Sequence, residues 1–125
     1  MKQEEILVID DNQMTRDVLK QLLDDENYIV SSCPNGMSAI ELIKEKPFEI
    51  FIIDYSMPEM PGDAVTAEVR KLCPDAFIIG FSFEHKELIF LAAGADKFII
   101  KDELHAKLIN AIKERNKEDI TMNTF

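Results

Sequence analysis

The chain has 125 residues, 46% of them hydrophobic and 30% charged, with four glycines and five prolines, a balance that fits one domain able to bury a core without disulfide staples. Twenty-four acids against fourteen bases leave a net charge of -10, which argues against direct nucleic-acid binding, because that affinity comes from clustered Lys and Arg neutralising phosphates. No apolar run approaches the ~20 residues of a membrane span or forms a signal segment, and Cys33 and Cys73 show no CxxC spacing, so the expectation is a cytoplasmic protein with two free thiols and no membrane contact.

In chain order, Ile6-Leu7-Val8-Ile9 is a short apolar run closed by two acids, the pattern of a strand buried on both faces. Met14, Val18, Leu19, Leu22 and Leu23 then recur at helical spacing, with Arg16, Asp17, Lys20 and Asp24 opposite, which predicts an amphipathic helix over 13–25. Tyr28-Ile29-Val30 reads as a second strand, and Asn35-Gly36 opens a helix carrying Ala39, Ile40 and Ile43. Ile50-Phe51-Ile52-Ile53 before Asp54 is a third strand, and Pro61-Gly62-Asp63 opens a helix carrying Val65 and Val69. Phe77-Ile78-Ile79 before Gly80 is a fourth strand, followed by a short helix near 85–93. Phe98-Ile99-Ile100 is a fifth, and Leu104, Leu108, Ala111 and Ile112 mark the last helix. After Arg115 the apolar period stops, so a domain over 1–116 and a polar tail or start of a linker over 117–125 are expected.

Strictly alternating strands and helices with short connections imply an α/β fold, a doubly wound (βα)5 domain with a parallel sheet covered on both faces. Sites in such sheets form outside the carboxyl ends of the strands, which here carry Asp10, Asp11, Asp54, Ser82 and Lys101. Three carboxylates gathered there repel one another unless a cation compensates, and Mg2+ suits oxygen ligands while leaving room for a phosphorylated substrate. A lysine and a hydroxyl opposite the acids then suit phosphoryl transfer.

Each residue alone has a plainer reading. Asp10-Asp11 can cap a helix, Ser82 can serve a turn, Lys101 can be solvated and Phe98 can be core. It is their placement after successive strands that favours a site. His85 lies near Ser82, but no GxSxG elbow accompanies it; His105 reads as an exposed helix residue. Neither histidine has zinc-ligand spacing with a cysteine, and Gly36, Gly62, Gly80 and Gly94 form no nucleotide-binding loop.

From about residue 4 to 115 the chain resembles the receiver domains of two-component response regulators. The resemblance is carried by Asp10-Asp11, by Asp54 with Tyr55-Ser56-Met57-Pro58, by Gly62, by Ser82, by Ala93-Gly94-Ala95, and by Phe98 three residues before Lys101. It implies a CheY-like, flavodoxin-like sheet in the order 2-1-3-4-5 and a phosphorelay role. Asp54 would accept a phosphoryl group from a sensor histidine kinase or a histidine phosphotransfer protein. Asp10, Asp11, Asp54 and the backbone carbonyl of Ser56 would hold Mg2+, Asp10 through water, and Lys101 would pair with the phosphoryl group. Ser82 and Phe98 would act as the switch, remodelling a surface read by a downstream protein target, and no turnover of small substrates is implied.

Three features depart from the family pattern: Phe83 stands where a small residue is usual, Asp102 replaces the usual proline, and the stretch from Ser82 to Ala93-Gly94 is about three residues short, close to one helical turn. Two other functions compete. One is a phosphorylation-independent receiver-like interaction module. The other is a phosphatase of the haloacid-dehalogenase type, whose DxD pattern is absent because Asn12 stands two residues after Asp10.

Overall fold

Each short apolar run becomes a parallel strand: β1 Glu5–Ile9, β2 Ile29–Cys33, β3 Ile50–Asp54, β4 Phe77–Ser82 and β5 Lys97–Ile100. They are joined by α1 Gln13–Asp24, α2 Gly36–Glu45, α3 Gly62–Leu72, α4 Glu87–Ala93 and α5 Leu104–Thr124, with a short 3-10 turn at Lys101–Glu103 before α5. This computed structural model describes residues 3–124, with side chains described as far as Arg115. The sheet order is β2-β1-β3-β4-β5, as the resemblance implied.

Alternation along the strands splits the core in two. Ile6, Val8, Ile50, Ile52, Ile79, Phe81 and Ile99 pack with Leu19 and Leu23 of α1 and Leu104, Leu108, Ala111 and Ile112 of α5. Leu7, Ile9, Phe51, Ile53 and Ile78 pack with Ala39 of α2, Val65 and Val69 of α3 and Phe90 of α4. Each fully buried Ile, Leu or Phe contributes about 1.5–3 kcal/mol relative to exposure, so the two layers hold the helices against the sheet. The Asn12 side chain caps α1 by accepting from the Thr15 N–H, and that of Asn35 caps α2 by accepting from the Ser38 N–H.

The register decides which strand ends meet. Ile9 pairs with Ile53, Asp54 with Phe81, and Ser82 with Ile100. The residues that end these strands are therefore neighbours, although they are scattered along the chain.

Several expectations change in detail. Ser82 is the last residue of β4 rather than a residue after it, whereas Asp54 ends β3 as expected. The second strand runs over Ile29–Cys33 rather than starting at Tyr28, and at the sheet edge beside β1 it leaves Ile29 exposed. In α1 only Leu19 and Leu23 of the apolar stripe are buried, whereas Met14 and Val18 are exposed. The stripe is wider than the surface that the sheet offers, and its first turn runs beside the strand ends, where Met14 and Val18 line a cavity with Phe83 and His105.

α4 is a helix of 7 residues, in keeping with the shortened stretch before Ala93-Gly94. Its Phe90 packs directly against β4 because residue 80 is glycine: a Cβ there would stand 2.3 Å from the ring. The helical backbone of α5 continues to Thr124, past Arg115 where the apolar pattern stops, since no Gly or Pro follows to end it. The expected tail over 117–125 thus begins on this helix, its side chains and Phe125 lying outside the described residues.

Cys33 and Cys73 carry free thiols, both pushed up in pKa by burial, Cys33 to about 11. Among the described residues no helix is long and apolar enough to cross a membrane.

Candidate active site at the carboxyl ends of the strands

Asp10 follows β1 directly and is fully buried. Its Oδ1 accepts the Asn12 N–H at 2.8 Å, and its backbone carbonyl accepts from Arg16 Nη1 at 2.7 Å. The start of α1 thus fixes this carboxylate, because the cap residue and the first-turn arginine hold the peptide on either side. Asp11, next in the chain, is exposed at the mouth.

Asp54 ends β3 and is 4% exposed. Gly62, at the start of α3, packs against its backbone so closely that a Cβ would lie 2.2 Å from the Asp54 carbonyl oxygen. Only glycine allows that approach, and the Gly62 N–H donates to the Tyr55 carbonyl at 2.9 Å, closing the loop that carries Ser56.

The three carboxylates meet as expected. Oxygen atoms from Asp10, Asp11 and Asp54 all lie within 4.8 Å of one another. Ligands of one Mg2+ at ~2.1 Å stand up to about 4.2 Å apart, so the spacing of the three acids is of the size that a single hydrated ion would need. The donor set is hard oxygen throughout, which fits Mg2+ and not a soft metal.

Lys101, immediately after β5, points its ammonium into this cluster. Nζ lies 3.3 Å from Asp10 Oδ2 and 3.6 Å from Asp54 Oδ1, and only 13% of the lysine side chain is exposed. Burial raises the Asp54 carboxyl to about 6, Asp10 and Asp11 adding to the rise and Lys101 opposing it. A carboxylate held in this way is short of positive charge, the condition that a divalent cation relieves.

Ser82, 3% exposed at the end of β4, accepts the Glu84 N–H on its Oγ at 3.0 Å. Ser56 is exposed and lines the same cavity, of about 330 Å3, with Ser82, Phe83, Glu84 and Lys101. Phe98 does not reach this cavity. It is half-buried on β5, its ring 5.7 Å from that of Phe90 and outside the carboxylate cluster. Reading the chain alone misses Asn12 and Arg16 as parts of the site; their only signal is a place in the first turns after Asp10-Asp11. Phe83 is legible as a bulky neighbour of Ser82, but its contact with Lys101, 4.9 Å from Nζ to the ring centroid, has no local signal.

A buried carboxylate beside a lysine, with two further acids to hold a hard cation, can act as a nucleophile toward phosphorus. Comparison with known proteins gives the family. The sequence profile of the response regulator receiver domain matches residues 6–113. Chemotaxis protein CheY of Thermotoga maritima is 30% identical over 116 residues, covering 90% of this chain and 97% of the relative. A solved CheY-like receiver domain protein from Methanospirillum hungatei superposes with a TM-score of 0.88 at 27% identity, covering 97% of this chain and 99% of that one. The response regulator TrrA of Thermotoga maritima, solved in complex with Mg(2+)-BeF, superposes with a TM-score of 0.82 at 29% identity, covering 89% and 97%.

Proposed function

This chain belongs to the response regulator receiver domains, and from that premise we propose that it is a phosphorylation-controlled switch whose phosphoacceptor is Asp54. The observation that carries the reading is the single ammonium of Lys101 set 3.3 Å from Asp10 and 3.6 Å from Asp54 at the ends of paired strands. A sensor histidine kinase or a histidine phosphotransfer protein would present a phosphohistidine. An Asp54 carboxylate oxygen attacks the phosphorus, the P–N bond breaks, and the imidazole leaves with a proton taken up on its nitrogen. The product is an acyl phosphate on Asp54.

Asp10, Asp11, Asp54 and the Ser56 backbone carbonyl are the groups that would hold Mg2+. When bound, the ion supplies positive charge against the phosphoryl oxygens. Lys101 supplies the protein's own share, already in place and shielded from bulk water. Ser82 would exchange its bond from the Glu84 N–H for one to a phosphoryl oxygen, and Phe98 would follow, changing the α4–β5 surface that a downstream protein target reads. Phe90 packs against Phe98 in the unphosphorylated protein, so the two rings would move together.

The domain over 1–116 would do this in the cytoplasm without binding nucleic acid or membrane itself. It would catalyse its own phosphoryl transfer and loss rather than turn over small substrates.

Intact mass after incubation with a small acyl-phosphate donor, with and without Mg2+, tests the reading on wild type and Asp54→Asn. One added phosphoryl group that requires Mg2+ and is absent from the variant is expected. A folded, Mg2+-binding wild type that never gains the adduct would sink the switch and favour the receiver-like interaction module, in which the fold persists without phosphorylation.

A further inference from the structure

Phe83 follows β4 directly and is 69% exposed, a position that burial of apolar surface does not explain. Its ring instead meets a cation. Lys101 Nζ lies 4.9 Å from the Phe83 centroid and 5.1 Å from that of Phe81. Phe81 lies within β4 and Phe83 in the bend just past its end, and both rings meet the same ammonium. Phe81 is fully buried in the sheet, so it is a fixed wall, and Phe83 is the part contributed by the loop.

The carboxylates of Asp10 and Asp54 draw Nζ toward the site, but a lysine carries four rotatable bonds and three donors with no preferred direction. The faces of two aromatic rings attract the ammonium through their quadrupoles and restrict where it settles. A small residue at 83 would leave that side of the ammonium to water.

We propose that Phe83 is a positioning residue for Lys101: its ring face holds the ammonium in advance where an incoming phosphoryl oxygen is met. The inference rests on the reading of Asp54 as phosphoacceptor and adds to it the residue that keeps the lysine ready. A charge already in place needs no ordering at the moment of binding.

The test uses beryllofluoride with Mg2+ as a phosphoryl mimic, its affinity measured by 19F NMR titration on wild type, Phe83→Leu and Phe83→Tyr. Leucine keeps apolar bulk but has no π face, and tyrosine keeps the face. Affinity should fall roughly five- to tenfold in Phe83→Leu, the range of a partly shielded cation–π contact, and stay within twofold of wild type in Phe83→Tyr. In the ligand-free protein, the Lys101 ε-methylene protons should lose part of a ring-current shift in Phe83→Leu alone. Wild-type affinity and an unmoved lysine signal in Phe83→Leu would overturn the inference while leaving the phosphoacceptor reading intact, as would equal losses in Leu and Tyr. A wild type that binds no beryllofluoride would overturn the phosphoacceptor reading, and the inference with it.

Discussion

Asp10 and Asp54 share one cation, the Lys101 ammonium standing 3.3 Å from an oxygen of the first and 3.6 Å from an oxygen of the second. With Asp11 beside them, three carboxylates gather where the Lys101 ammonium pairs with two of them. The excess falls on Asp54, whose carboxyl is pushed up to about 6 by burial and then by Asp10. The pairing of Ile9 with Ile53 creates this imbalance, since it sets the next residue of each strand side by side.

Asp54 makes stability depend on pH with a definite sign. Its carboxyl titrates near 6 in the folded protein against an ordinary value of 3.8, so between those values the folded state binds more protons and stability falls as pH rises. The cost is complete above about pH 6 and absent below about pH 4. Asp54→Asn should be more stable than wild type at pH 7.5, by about 1–3 kcal/mol, with the advantage shrinking toward pH 4. Urea denaturation of both proteins at the two pH values, in Mg2+-free buffer, measures this. An advantage that did not change with pH would contradict desolvation as its cause.

Mg2+ should reverse the penalty. A cation that binds the folded state only raises stability by mass action, but here it must displace the proton on Asp54. Millimolar Mg2+ should therefore raise the wild-type Tm more at pH 7.5 than at pH 5, and Asp11→Asn should weaken the effect at both. Thermal unfolding followed by circular dichroism, with EDTA as reference, is the check.

The seat of α4 can be tested without touching the site. Gly80→Ala places a methyl group where Phe90 carbon atoms stand 2.3 Å away, on a ring that is fully buried. Overpacking of that kind costs about 1–3 kcal/mol. Combining it with Phe90→Leu should recover part of the loss, because the smaller side chain vacates the space. Chemical denaturation of the single and double variants gives the coupling, and simple additivity would show that the loss in Gly80→Ala does not come from contact with the Phe90 ring.

Arg70 ties α3 to the loop before β4 and to the loop between α4 and β5. Its guanidinium donates to the carbonyls of Gly94, Pro74 and Ala76 and to Asp96, which in turn accepts the Ile78 N–H. Arg70→Lys cannot reproduce this fork and should lose most of the stability lost in Arg70→Ala, about 1–3 kcal/mol. Denaturation curves for the two variants decide it. Full rescue by lysine would mean that only the ion pair with Asp96 matters.

Much of this molecule can be read from the chain. The five strands stand out because β-branched and aromatic runs are local features, and Asp10, Asp11, Asp54 and Lys101 stand out because each breaks such a run. The strand order comes from the resemblance to a family, not from periodicity, which is the same for every order. Helix ends are legible where a cap or a Gly marks them, as at Asn35-Gly36 and Pro61-Gly62, and not at the end of α5, where nothing stops the backbone.

Local pattern cannot encode distance through space. The 3.3 Å between Lys101 and Asp10 spans 91 residues of sequence and exists because register and sheet order bring two strand ends together. The exposure of Met14 and Val18 on a stripe that looks buried, the ring of Phe83 over Lys101 and the fork of Arg70 under Gly94 have the same origin. Periodicity states which face of an element is apolar. How much of that face is covered, and which side chain meets which, is set by docking and register, because burial and Coulomb attraction act between atoms that only the folded chain makes neighbours.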